Sequence, residues 1–256
     1  MDEQHEIIQT FSEMAPRYEK LMNNELNKFF GFDYGEFVSW LIDEIEMEPG
    51  ETILDIATGT GFIPAYIQKN EKTYKKIIGL DITFEMLINS ERNLGSSEKF
   101  EEVNLVCASA HAIPLKTREI DHVICCLATH HMDVDLLLKN IKHCLKEDGT
   151  IHLADAGGSL KWKNTIIKTV IKLLASIYFL IFENLSRARA ESSAVANIHT
   201  TDEWRQLLTE NGYNRIEIVE LKSRRFWAPV LLIIKAKNNN KWRKNDNSCR
   251  VNSRRQ

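Results

Sequence analysis

The sequence predicts an α/β fold: a seven-stranded, mostly parallel sheet with an antiparallel edge hairpin and helices on both faces. Three observations carry that expectation. Short apolar runs (ETILDIA, KKIIGLD, VNLVCAS, DHVICCL, TIHLADA) alternate with segments of helical periodicity. Several of these runs are apolar nearly throughout, as strands covered on both faces are. The last two runs, RIEIVEL and roughly FWAPVLLIIKAK, follow one another with no helix between them, so they pair antiparallel at one edge. With 256 residues, 43% hydrophobic and 27% charged, the chain is long enough for one domain with an appendage and is not disordered overall.

The elements follow in order. Residues 1–48 read as amphipathic helices interrupted by Pro16, the second ending near Glu48-Pro49-Gly50. Residues 49–158 hold the alternating core. In it FIPAYIQKN, ITFEMLINSERNL and DVDLLLKNIKHCLKEDG have helical spacing, the last ending at a glycine suited to a C-terminal cap. Residues 159–200 break the alternation. Thr165, Lys168, Thr169, Lys172 and Ser176 form a narrow polar stripe, and Ile166, Ile167, Val170, Ile171, Leu174, Ile177, Tyr178 and Ile181 fill the remaining arc. The uncharged centre, 173–182, is too short to span a bilayer, which needs about 20 apolar residues. Such a helix buries its apolar face in the core, in a homodimer, as a lid over an apolar substrate, or at a membrane surface through 160–185. Residues 201–237 give the last helix, TDEWRQLLTENGY, and the edge strands.

Residues 238–256 read as a basic disordered tail. From Lys235 onward there are eight basic residues and one acidic, a net of +7, while the whole chain carries −3, so residues 1–234 carry −10. An acidic body argues against a dedicated nucleic-acid binder. The polar start MDEQHEIIQT shows no secretory or transit signal, and five cysteines without C-x-x-C spacing make neither a disulfide scaffold nor a zinc site. A cytoplasmic protein, peripheral at a membrane if 160–185 binds one, is expected.

The chemistry is concentrated in Ile53-Leu54-Asp55-Ile56-Ala57-Thr58-Gly59-Thr60-Gly61-Phe62. A strand enters a tight turn where Gly59 and Gly61 lack Cβ, so a ligand can approach the backbone. Asp81 stands 20 residues past Gly61 at the end of the next strand, where a carboxylate accepts ribose hydroxyls. The dinucleotide fingerprint requires a third glycine at the position of Pro64. Asp55 repels a pyrophosphate and suits a cationic ligand. S-adenosylmethionine, with its ammonium and sulfonium, fits that contrast better than NAD.

ILDIATGTGF resembles the first motif of class I S-adenosylmethionine-dependent methyltransferases, and IIGLDITFEML the second. ASAHAIPL and REIDHVICCLATHHM are similar to the third and fourth, and FSEMAPRYEKLMN resembles the start of the menaquinone/ubiquinone methyltransferase group. The resemblance covers about residues 10–156. It implies a Rossmann-like fold with S-adenosylmethionine as cofactor. Asp55 and the backbone of Ala57, Gly59 and Gly61 would hold the methionine end. Asp81 would bind the ribose, with Ile82 and Met86 near the adenine. Ser109 and Ala110 would meet the adenine edge, Leu127 would lie beside the methionine portion, and Tyr18 with Arg17 would close over the cofactor. Relatives often have Asp where Ser109 stands, which implies looser cofactor affinity.

The acceptor is less defined. A hydrophobic, lipid-like small molecule such as a quinone precursor fits the apolar helix. Methylation of a small soluble acid or natural-product intermediate, or a non-catalytic cofactor-binding partner subunit, stand as alternatives. Charge and the lack of a base-flipping motif disfavour nucleic acid as substrate. His130 and His131 are the candidates for a proton acceptor or for structural roles, and adjacent strand-exit residues are expected to point apart. No metal site is expected.

Overall fold

The computed structural model describes residues 3–70, 72–95, 103–158, 165–221 and 230–239. The tail beyond 239 and Lys161 and Lys163 lie outside the described residues. Seven strands form one sheet in the order β3-β2-β1-β4-β5-β7-β6. They are β1 (Thr52–Ile56), β2 (Lys76–Asp81), β3 (Val103–Cys107), β4 (Ile120–Cys126), β5 (Leu145–Gly157), β6 (Tyr213–Leu221) and β7 (Val230–Asn238). β1 to β5 pair in parallel, with β1 between β2 and β4. β7 runs antiparallel to both β5 and β6. The order reverses between β1 and β4, and in open α/β sheets the crevice outside such a reversal receives ligands.

Alternation along the strands sends side chains to two cores. Leu54, Ile56 and Val123 meet Leu137 and Ile141 of α6 (Val134–Cys144) and Trp204 and Leu208 of α9 (Thr201–Glu210). Ile53, Ile77 and Ile124 meet the opposite layer: Met22 and Leu26 of α2 (Tyr18–Phe29), Phe37 and Leu41 of α3 (Tyr34–Ile42), and Ile63 and Ile67 of α4 (Phe62–Lys69). Burial on both faces is why β1 has no exposed position. α5 (Phe84–Leu94) follows β2, and α1 (Glu3–Met14) precedes a short 3₁₀ turn at Ala15–Arg17 that absorbs Pro16.

Two expectations shift. The amino-terminal helices end at Ile42, ahead of the Pro49-Gly50 turn. The helix expected to close at Gly149 instead ends at Cys144, and Leu145 enters β5 directly. Gly149 therefore serves the strand, where a Cβ would stand 2.6 Å from Leu145 Cδ1 and 3.0 Å from the Asp121 carbonyl. The break in the alternation resolves into α7 (Thr165–Phe182) and α8 (Leu185–Ala194).

Candidate functional site

The carboxyl ends of β1, β2 and β4 open into a cavity of about 680 Å³. Of the residues singled out from the sequence, Tyr18, Ala57, Gly59, Asp81, Ile82, Met86, Ser109, Ala110 and Leu127 stand on its wall, as does His131. Asp55, Gly61 and His130 lie behind the wall. Arg17 turns away and pairs with Glu183 at 2.9 Å.

Local geometry explains the wall. Ala57 (φ +54°) and Leu127 (φ +53°) leave β1 and β4, the two strands flanking the reversal, in the left-handed region. Non-glycine residues rarely adopt it, and such strain gathers at functional sites. Gly59 (φ +55°) continues the turn, and its N–H donates to Asp81 Oδ2 at 2.9 Å. The Thr83 N–H donates to Asp81 Oδ1 at 2.8 Å. Two backbone donors thus aim the carboxylate and leave each oxygen a further lone pair, the acceptor set that a ribose diol requires. Gly61 is needed for another reason than the one the sequence suggests. Its φ is +78°, and a Cβ there would stand 2.3 Å from Ser90 Oγ, so it admits α5 and not a ligand. The amino-terminal layer is latched over the turn by Glu19, which accepts from Thr60 Oγ1 at 2.9 Å and from Asn93 Nδ2 at 2.8 Å.

Asp55 is fully buried, and its carboxyl oxygens have no hydrogen-bond partner among the described residues. Burial pushes it up to about 7; Thr58 beside it draws it down in part, and the Asp81 carboxylate adds to the rise. An unpartnered acid under the glycine turn favours a cation above it and opposes a phosphate. Both carboxylates therefore fit a nucleoside cofactor bearing positive charge. Ser109 Oγ accepts the His111 N–H at 3.2 Å, closing a turn at the edge of the cavity.

Residues 54–153 match the methyltransferase-domain family. The chain is 23% identical over 219 residues to the demethylmenaquinone methyltransferase of Lactobacillus johnsonii, covering 82% of this chain and 86% of that one. It is 24% identical over 224 residues to a ubiquinone/menaquinone biosynthesis C-methyltransferase of Geotalea uraniireducens, covering 84% and 91%. Among solved structures, the geranyl diphosphate C-methyltransferase of Streptomyces coelicolor shares the fold, with a TM-score of 0.63, 14% identity and coverage of 86% and 84%. Residues 54–153 are a methyltransferase domain, and the chain resembles class I S-adenosylmethionine-dependent methyltransferases over most of its length.

Behind the cavity the methyltransferase holds a charged network that the sequence did not disclose. His130 and His131 lie on a 3₁₀ turn after β4, not on a strand, so their rings converge to 4.3 Å between centroids. Asp155, at the end of β5, accepts from His130 through Nδ1 at 2.6 Å and through the backbone N–H at 3.1 Å. It also accepts from the Thr129 hydroxyl and the Ala156 N–H. Burial lowers the His130 pKa, but the Asp155 carboxylate outweighs it and the net direction is up. His131 is carried down to about 3, first by burial and then by His130, and so stays neutral. Its ring stands edge-on to Phe11 at 5.3 Å, and its Nε2 is 3.7 Å from Glu191 Oε1.

His130, His131 and Glu191 bring ligand atoms within 4.8 Å of one another. The cationic place beside that carboxylate is taken by Arg187, whose Nη2 is 3.0 Å from Glu191 Oε1. The signal for Asp155 was available, because polar residues at the carboxyl end of a parallel strand face the crevice. For Phe11, Asn197 and His199, which also line the cavity, no spacing in the sequence marked them.

Proposed function

We propose that the methyltransferase acts on a hydrophobic, lipid-like small molecule of quinone-precursor type. The observation that carries this reading is the wall beyond the cofactor residues. Ile7, Phe11, Met132, Val134 and Leu207 line it with apolar surface, while Gln4, His111, His131, Asp133, Asp135, Asn197 and His199 place polar groups among them. A wall of that kind suits an apolar ring bearing one or two oxygens. The quinone-directed names of the two relatives, and the isoprenoid acceptor named for the Streptomyces enzyme, support the same class.

In this reading Asp81 binds the ribose hydroxyls, and Ile82 and Met86 pack near the adenine. Ser109 and Ala110 meet the adenine edge. The backbone of Ala57 and Gly59, with Leu127, borders the methionine portion, and Tyr18 closes the site. Asp55 and Gly61 act from behind the wall, one by charge and one by packing. S-adenosylmethionine supplies an activated methyl group on a good leaving group. The chain aligns the acceptor and keeps water out. His131, neutral and weakly basic, donates or accepts a hydrogen bond at the acceptor's oxygen. His130, paired with Asp155, is the stronger base and acts through its neighbour as a positioning residue.

Transfer of labelled methyl from S-adenosylmethionine would be measured with a short-chain prenylated naphthoquinol and with soluble aromatic and aliphatic acids. Label in the quinol is expected. Label in an acid alone overturns the acceptor class, and cofactor binding without transfer to any acceptor favours the partner-subunit reading. Asp81→Ala should weaken S-adenosylhomocysteine binding by roughly 10- to 100-fold in calorimetric titration, the scale of lost charge-assisted hydrogen bonds. Unchanged affinity would sink the ribose contact.

A further inference from the structure

Asn197 shares the cavity wall with His131, and the fold fixes its amide from several sides. The fixing starts at Asp155, buried near the end of β5. Its carboxylate accepts from the Thr129 hydroxyl and from both the backbone N–H and Nδ1 of His130, which holds the turn Thr129–His131 in place. The His130 carbonyl on that turn accepts from Asn197 Nδ2 at 3.2 Å. The backbone around Asn197 is seated as well. Val195 and Ile198 are buried, and Ile171 and Ala175 of α7 pack against them. The His199 carbonyl accepts from the Gly158 N–H at 3.0 Å, and Thr200 forms a bridge to Gly158. Only the nitrogen of an amide can meet a carbonyl, so the bond to His130 also orients the group. Nδ2 lies on His130, and Oδ1 has no hydrogen-bond partner among the described residues. On a half-buried residue of the cavity wall, that oxygen is an acceptor offered to a ligand.

An amide oxygen brings lone pairs and no hydrogen, so it selects by what the ligand can donate. A hydroxyl has a hydrogen to give. An ether in the same place presents only lone pairs and leaves Oδ1 desolvated without a partner. Sites built to hydrogen-bond a hydroxyl reject analogues that lack it for this reason. We propose that Asn197 is a specificity residue of the acceptor site, its Oδ1 accepting the hydrogen of a hydroxyl on the acceptor's ring. The inference rests on the reading of this cavity as the site of an apolar, oxygen-bearing acceptor, and it names the group of that acceptor that is read. An amide is no base at neutral pH, so Asn197 orients the ring and takes up no proton.

The full chain, saturated with S-adenosylhomocysteine, would be titrated with 1-naphthol and with 1-methoxynaphthalene, each followed by the fluorescence of its rings. The two probes share the apolar body and differ in the hydrogen that Asn197 reads. 1-Naphthol is expected to bind at least about tenfold tighter than the ether. Asn197→Leu should bring the two affinities within about twofold of each other by weakening 1-naphthol alone, with S-adenosylhomocysteine affinity unchanged. Asn197→Ala, which adds no bulk, should do the same. Loss of the bond to the His130 carbonyl by itself would weaken both probes together, so the ratio separates recognition from support. Equal binding of the two probes by the parent, binding of neither, or an unchanged ratio in either folded variant overturns the proposal. These readouts are of binding, so they fail separately from the acceptor class, which labelled transfer to a quinol or to an acid decides.

Discussion

Gly61 and Ser90 test how tightly the glycine turn is built into the fold. Ser90 is fully buried, and its hydroxyl has no hydrogen-bond partner among the described residues. Ser90→Ala should therefore be neutral or stabilising by up to about 1 kcal/mol, since it removes an unsatisfied buried polar group. Gly61→Ala should cost about 2–4 kcal/mol, from the left-handed backbone and from a Cβ driven against Ser90 Oγ. In the double variant Ser90 Cβ at 3.1 Å and Cα at 3.3 Å remain while the hydroxyl is gone, so a coupling of at least about 1 kcal/mol is expected in denaturant melts. Strict additivity would show that α5 moves aside. Asp55 makes a different prediction. With its pKa pushed up to about 7, it is largely protonated in the free protein at slightly acidic pH, and a bound cation favours its ionised form. Affinity for S-adenosylmethionine should rise with pH through about 7, with a proton released on binding. Calorimetry in two buffers of different ionisation enthalpy reads that proton. No buffer dependence would remove the charge role, and Asp55→Asn should abolish the dependence.

At the scale of elements, Arg187 joins the insertion to the amino-terminal layer. Its side chain is 4% exposed and reaches Glu25 of α2 at 3.1 Å and Glu191 of its own helix at 3.0 Å. It also contacts the Met14 sulfur at the end of α1. Arg187→Met would leave Glu191 buried beside His131 without its cation, a loss of about 3–5 kcal/mol. Arg187→Met with Glu191→Met should be milder, since the buried Glu191 charge goes with its cation and only Glu25, the more exposed of the two carboxyls, is left without it. Amide exchange should show α1 and α8 losing protection together in the single variant; a change confined to α8 would mean that the clamp does not reach across. None of this was legible in the sequence, because LSRARAESSA has no apolar periodicity and its charges look solvated. The strands were legible for the opposite reason: two-sided burial makes them continuous apolar runs. The turn from Ala57 to Gly61 and Asp81 were legible because each ends such a run. Gly149 misled, since a helix followed by glycine reads as a capped helix whether or not a strand has already begun at Leu145. The convergence of His130 and His131 was hidden because it depends on a 3₁₀ turn that leaves no periodic trace.

For the whole molecule, the displaced ionisations sum to a pH optimum. Burial raises Asp55 from 3.8 to about 7 and Glu25 from 4.5 to about 7, and lowers His131 from 6.5 to about 3. Between about pH 4.5 and 6.5 the unfolded chain therefore has both carboxyls ionised and this histidine protonated. The folded chain has both carboxyls protonated and the histidine neutral. It binds one proton more, so these groups make stability fall by about 1.4 kcal/mol per pH unit as pH rises. The slope holds to about pH 6.5 and eases above it, because the folded carboxyls lose their protons near 7 as the unfolded His131 loses its own. His130 and the raised Asp81 act in the same direction, because a raised folded pKa contributes stability that is lost as pH climbs through the folded value, while burial lowers His152 well below 6.5 and so opposes the fall up to that pH. At the acid end Asp155 and Glu191, both lowered, contribute stability that disappears as pH drops through their folded values. The cofactor-free protein should thus melt highest near about pH 5 and lower at about pH 8. S-adenosylmethionine, by favouring ionised Asp55, should shift that maximum upward, and Asp55→Asn combined with Glu25→Gln should flatten the decline. Thermal melts across that range, with and without cofactor, decide it. A free-protein profile that is level or rising from about pH 5 to 8 would mean that neither carboxyl holds its proton in the fold.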